Sequence, residues 1–459
     1  MNQQQRLPRS ASTRIVDDTG TLSGIWLRWN VLTQAERFVC VSIVLIPLWW
    51  WIGWGYIPLL LLFSIISYEL LNHGGLRLQR PSLTVVSVIA FGLYRLVGSN
   101  LSEIAVNSVL NPIAFWICGG LVLWYIQSND IRVRLQVVGW ACSVSVAQMI
   151  VFWLVVHFVF SEPHYAPYRT LIASLTGKAE QFLPGAGNGN YLRPYEPYEK
   201  GLGGLARFSF FFSHPEVASF VVSFTGLLAL DLRHRFWSLL LLGACSFLLV
   251  ICQTRSAWLS FPILLVIRWL FTTGKIWGPS IVCTLFAVAS FVTLSLPPVT
   301  DALINTYTHT VEATGNFRQE STEGRAKIYE RTLEDFWEAP LLGHGVNGPT
   351  VVPGYDPARI GSHSFILGTL LYKSGLLGTA IFLTFWTSFI VWLYNTRVGR
   401  SACCFLILIY FSLSSLVTEF EIVTLLLFLL CTIIREPKRS LLPSLSTSPT
   451  LSNRLCIKG

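Results

Sequence analysis

Three short stretches of this chain set reactive side chains beside long apolar runs. In CQTRSAWLSF, Arg255 stands between two such runs. A guanidinium is permanently charged and presents a fork of donors that matches phosphate oxygens, so one reading of Arg255 is a diphosphate clamp. The other is an arginine whose stem lies along apolar surface while its head reaches the lipid headgroups. In EGRAKIYERTLEDFWEAPLLGHGVNGP, Arg325 and Tyr329 are one helical turn apart and would share a face. In GSHSFILGTLLYKSGLLG, His363 precedes an apolar helix that ends at Lys373, Ser374 and Gly375. Imidazole can act as a base near neutral pH, although a lone histidine in a loop is more often merely solvated.

The elements that must position these residues follow from composition. Of 459 residues, 53% are apolar and 12% are charged, against about 25% charged in a soluble globular chain. A membrane span needs roughly 20 mostly apolar residues. Apolar runs fall near 38–53, 55–71, 82–98, 112–127, 136–160, 215–231, 236–252, 256–273, 279–297, 375–395, 402–417 and 422–434. The expected fold is therefore an all-α polytopic membrane protein with about twelve transmembrane helices, a bundle and not a barrel. The first two runs are short, and a single re-entrant hairpin is the other reading of residues 38–71.

Lysine and arginine in short loops orient the spans. Arg77 and Arg80, Arg132 and Arg134, Arg233 and Arg235, Arg268 and Lys275, and Arg397 and Arg400 fall in alternate loops. That assigns them, the N-terminal segment 1–37 and the tail 435–459 to the cytoplasmic side. The net charge of +9 comes largely from such runs, which argues against nucleic acid as a partner. The expected order is then spans 38–160, a first long outer loop 161–214, spans 215–297, a second long outer loop 298–374 with the His363 segment, and spans 375–434. Both loops far exceed the usual connection of about 4–6 residues, which marks them as functional.

The first outer loop has five tyrosines, Tyr165, Tyr168, Tyr191, Tyr195 and Tyr198. An aromatic ring with a polar tip suits a sugar face and equally the membrane interface. In the second loop, Ile328, Leu333, Phe336 and Trp337 recur at near-helical spacing, as in a helix lying on the membrane or capping the bundle. Nine of the ten cysteines lie in or at the ends of apolar runs and Cys456 is in the tail, so no disulfide framework is expected. No spacing of Cys, His or carboxylates suggests a metal site, and no cofactor is expected.

An arginine in TRSAW at the start of a span, a later Arg-x-x-x-Tyr helix running into PLLGHG, and a His-Ser before a helix ending GLLG together resemble the core of the O-antigen ligase and polymerase superfamily. RFSFFFSHPEVASFVVSFTGLLAL resembles that family's stretch before the preceding span, and the likeness covers roughly residues 200–380. Two features depart from the family pattern: Ser364 follows the histidine in place of Asn, and Gly375 lies twelve residues after it. The resemblance implies a GT-C-like fold in the bacterial inner membrane. It also implies that Arg255 and Arg325 contact the diphosphate of a polyprenyl-linked glycan such as undecaprenyl diphosphate, and that His363 activates the acceptor hydroxyl. Arg207, His214 and Tyr329 fall where substrate-facing residues are expected.

The expected activity is thus metal-independent, inverting glycosyl transfer from a lipid-diphosphate-linked glycan to a glycan or a lipid-anchored acceptor. Polymerase is favoured over ligase, because the outer loops form a large polar surface and lack a basic cluster. Partners would be the bilayer, the two glycan substrates and other polysaccharide-assembly proteins. A transporter or flippase, of lipid-linked glycan or of a small anion, is the reading from another class. It would place ionisable groups near the midplane, where these spans are almost free of charge.

Overall fold

The computed structural model describes residues 22–23, 26–102, 112–159, 167–175, 190–200, 206–277, 284, 287–288, 319–352, 358–416, 418 and 424–435. Most of the expected span 279–297, the segment 298–318, Tyr165, the acidic turn Glu419–Glu421 and both chain ends lie outside these residues.

Helices fall on the other apolar runs. They are α1 (Gln34–Val44), α2 (Ile46–Ile52), α3 (Ile57–His73), α4 (Leu83–Ser102), α5 (Gly119–Ser128), α6 (Leu135–Val159), α7 (Leu171–Leu175), α8 (Pro215–Ala229), α9 (Arg235–Cys252), α10 (Arg255–Trp277), α11 (Gln319–Phe336), α12 (Lys373–Asn395), α13 (Cys403–Ser414) and α14 (Thr424–Thr432). Wider π-helical turns lead into α5 (Pro112–Cys118) and α12 (Phe365–Tyr372). Among the described residues, four helical stretches are long and apolar enough to cross a membrane: Trp54–His73, Leu135–Val159, Arg235–Cys252 and Phe365–Asn395. The pair α1 and α2 makes a fifth if its 62° bend is one broken span. Pro47 opens α2 and has no N–H to continue the helical ladder, which accounts for the break. Four further apolar helices are shorter, α8 and α13 among them. The whole is mostly helical, as a polytopic membrane protein requires.

Helix α8 is the buried axis of the half that carries the site, with twelve of its fifteen residues buried. Its ends are fixed differently. His214 caps the first turn, its Nδ1 accepting from the Glu216 N–H at 3.3 Å, and Pro215 follows where a missing N–H costs nothing. Past the last turn, Asp231 pairs with Arg268 of α10 at 2.5 Å and accepts from the Cys403 N–H at 2.8 Å and from the Ser401 hydroxyl. Arg268 also donates to the Leu230 carbonyl at 2.9 Å, so the pair caps α8 as well.

Against this half, α4 and α12 pack through aromatic rings. Phe91 of α4 meets Phe382 of α12 at 5.3 Å, and each ring also meets one from a π-helical turn, Trp116 and Phe365, at 4.9 Å.

Candidate active site

Helix α11, in the segment expected to form the second outer loop, has two apolar stripes where the spacing suggested one. Ile328, Thr332 and Phe336 recur every four residues and are buried, whereas Leu333 and Trp337 are exposed. Five positions along a helix turn a side chain some 140° away from Ile328, so Leu333 and Trp337 form their own uncovered row. The inner face places Arg325 and Tyr329. Arg325 Nη2 donates to Glu216 Oε1 at 2.7 Å, joining α11 to the first turn of α8. One turn on, the Tyr329 hydroxyl donates to the His363 carbonyl at 3.4 Å. Burial pushes the Tyr329 hydroxyl above its ordinary pKa, the Arg325 charge opposes this and Glu216 reinforces it, so the phenol stays a donor.

Glu216 gathers the other expected residues. His214 Nδ1 lies 4.0 Å from its carboxylate, and Arg207 is within electrostatic range of it. Arg207 is buried on the strand Ala206–Phe208, which pairs antiparallel with Tyr195–Lys200 and sets Arg207 opposite Glu196. Arg255 is the half-buried first residue of α10. The preceding Thr254 hydroxyl donates to the Pro215 carbonyl at 3.3 Å, which ties the start of α10 to the start of α8. All six residues singled out from sequence thus lie along one connected set of contacts at one end of the bundle, either directly or through an adjoining residue.

His363 has a φ of +65°, a left-handed conformation that is costly for a side chain of this size. Its neighbours hold it there. The Gly361 N–H donates to Thr332 Oγ1 at 2.9 Å, and the Ser364 hydroxyl donates to the Leu416 carbonyl at 2.8 Å while capping the π-helical turn. The Ser362 hydroxyl lies 2.6 Å from both the Arg359 carbonyl and His363 Nδ1.

Behind the histidine, the PLLGHG turn docks on the break that ends the next helical segment. The N–H groups of His344 and Gly345 donate to Tyr372 and Lys373 at 2.9 and 3.0 Å, and those of Leu376 and Leu377 donate back to Pro340 and Leu341 at 2.8 and 3.1 Å. Gly343 (φ +75°) and Gly375 (φ +61°) meet at the centre, and a Cβ on either would lie 2.5 Å from the backbone nitrogen of the other. Tyr94 of α4 bridges the Leu342 and Ser374 carbonyls at 2.8 and 2.9 Å, and the buried Arg95 donates to the Gly345 carbonyl at 3.3 Å.

Sequence reasoning passed over Glu216, Ser362 and Arg95. Glu216 had a signal, since an acid directly after His-Pro opens an apolar run; Arg95 was hidden inside the run 82–98. Among the described residues no group of three or more His, Cys, Asp or Glu is placed to hold a metal ion.

A mostly helical chain with membrane-length apolar segments, carrying an arginine- and histidine-lined site at one end, defines the class of protein. Residues 237–383 match the family model described as O-antigen ligase, which bears out the resemblance to the O-antigen ligase and polymerase superfamily over that part of the chain. The matched region contains Arg255, Arg325, Tyr329 and His363 and begins after Arg207, His214 and Glu216. No curated protein matches the chain.

Proposed function

We propose that this chain is a metal-independent, inverting glycosyltransferase that polymerises polyprenyl-diphosphate-linked oligosaccharide at the outer face of the bacterial inner membrane. The observation that carries the reading is the linked pair of contacts Glu216–Arg325 and Tyr329–His363, in which one face of α11 holds a guanidinium at the start of α8 and, one turn on, the backbone of His363. A lipid diphosphate leaves readily once its charge is neutralised. Arg255 and Arg325 supply that charge, and Arg207 and His214 border the same region. His363 takes the proton of the acceptor hydroxyl as the acceptor oxygen attacks the anomeric carbon, giving inversion in one displacement.

A cleft of about 880 Å³ with mainly apolar walls supports a lipid-linked donor. Its lining includes Phe212 and Val217, beside His214 and Glu216, and continues past Leu61 and Leu426 to Glu69 and His73. A long hydrocarbon tail bound there would bring its diphosphate to the start of α8.

The test is the lipid-linked species in cells lacking the protein. At most single repeat units on the polyprenyl carrier are expected. Long chains that stay on the carrier and fail only to reach their final acceptor would make the protein a ligase. Intermediates confined to the inner leaflet would make it a flippase.

A further inference from the structure

We propose that Ser362 is the positioning residue that selects the tautomer of His363, keeping the proton on Nδ1 and the lone pair on Nε2. The proposal rests on the reading of His363 as the base and adds which of its nitrogens acts and what sets it.

The argument is one of counting protons. Ser362 Oγ lies 2.6 Å from the Arg359 carbonyl oxygen and 2.6 Å from His363 Nδ1. A hydroxyl has one proton to give, and a carbonyl oxygen can only accept. If the proton went to Nδ1, two acceptor oxygens would face each other at 2.6 Å with nothing between them. The proton therefore goes to Arg359, and the contact with the ring is made by Nδ1–H donating into Oγ. A neutral imidazole protonated on Nδ1 carries its lone pair on Nε2.

The surroundings keep this arrangement in register. Ser362 is buried, and its own N–H donates to the same Arg359 carbonyl at 3.2 Å. Thr332 holds Gly361, Tyr329 holds the His363 carbonyl, and Ser364 is tied to Leu416. His363 makes its Nδ1 contact with Ser362 from a left-handed φ of +65°.

In the transfer step the acceptor oxygen bonds to the anomeric carbon while the bond from that carbon to the diphosphate oxygen breaks. The bonding pair leaves with the diphosphate. The acceptor proton passes to Nε2, and the resulting imidazolium keeps its Nδ1–H on Ser362. Its orienting partner is a neutral hydroxyl, not a carboxylate. Among the described residues, the titratable and charged groups linked to this segment by the contacts above are Tyr329 and Arg325 on α11, Glu216 and His214 at the start of α8, and Arg359 on the histidine's own segment.

The test uses the full-length protein labelled with ¹⁵N-histidine in lipid nanodiscs, with the His363 signals identified by their loss in His363→Gln. The native protein should show Nδ1 protonated near neutral pH, and Ser362→Ala should shift the ring toward the Nε2–H form. Transfer by Ser362→Ala should fall at least about tenfold in kcat with little change in KM, and Ser362→Thr should recover most of it. Ser362→Asp, which sets an anion against Nδ1, should move the acid limb of the pH–rate profile to higher pH. A native His363 protonated mainly on Nε2 overturns the proposal, as does a Ser362→Ala protein with unchanged ring signals. Full transfer by His363→Gln would instead remove the underlying reading of the base, whatever the tautomer.

Discussion

The two ends of α8 each set a carboxylate against an arginine, yet they have opposite charge balance. At Asp231 one cation, Arg268, is joined by two neutral donors, the Ser401 hydroxyl and the Cys403 N–H, and Arg268 itself caps the helix. Every group has a use within the fold. At Glu216 the carboxylate faces Arg325 and Arg207, and His214 adds a third charge when protonated. Positive charge is in excess there, with Arg255 opening the next helix close by. A fold that needed only a clasp would have stopped at one arginine. The surplus suits a doubly charged diphosphate.

The comparison is broken most directly at Arg325. Arg325→Ala and Arg255→Ala should each lower transfer by about a hundredfold or more while the protein still accumulates in the membrane. Lysine at either position should restore little, because a point charge lacks the fork. The double variant Glu216→Gln/Arg325→Met is the sharper measurement. If it recovers transfer, the pair is a structural clasp like that at Asp231 and the clamp is elsewhere.

Asp231→Ala should act on stability and not on chemistry. It takes the counter-charge from Arg268 and the acceptor from two donors, a change expected to cost about 3–5 kcal/mol. A lower unfolding temperature in detergent and less protein in the membrane would register it, with turnover per folded molecule nearly unchanged. A loss of turnover as large as that of Arg325→Ala would erase the distinction between the two ends. The smallest effect is expected from chelator, since arginines take the place of a cation in this scheme. Transfer by purified protein in excess EDTA should match the untreated rate, and strict dependence on magnesium or manganese would overturn the scheme.

What could be read in advance was local. The four-residue spacing put Arg325 and Tyr329 on one face because helical geometry alone fixes that relation. The same spacing misplaced Leu333 and Trp337, since apolar periodicity does not say which of two stripes the rest of the protein covers. Glu216 was legible only as a helix-opening acid; its partner lies 109 residues away. Ser362 adjoins a residue already singled out, but its role depends on a turn that brings the Arg359 carbonyl within reach. The bend between α1 and α2 falls inside the single apolar run 38–53 and was not read in advance, although Pro47 beside it was a signal for a break.

The meeting of Gly343 and Gly375 bears on how such a protein can be rebuilt. PLLGHG and the KSGLLG stretch are separate in sequence, and their backbones interlock at Gly343 and Gly375 without room for a single methyl group. They are one part supplied by two pieces of chain, clasped from α4 by Tyr94. A chimaera that takes residues 340–345 from a relative and leaves 372–377 behind would join halves cut from different moulds. The two segments, with Tyr94, form the smallest unit of exchange around the His363 segment.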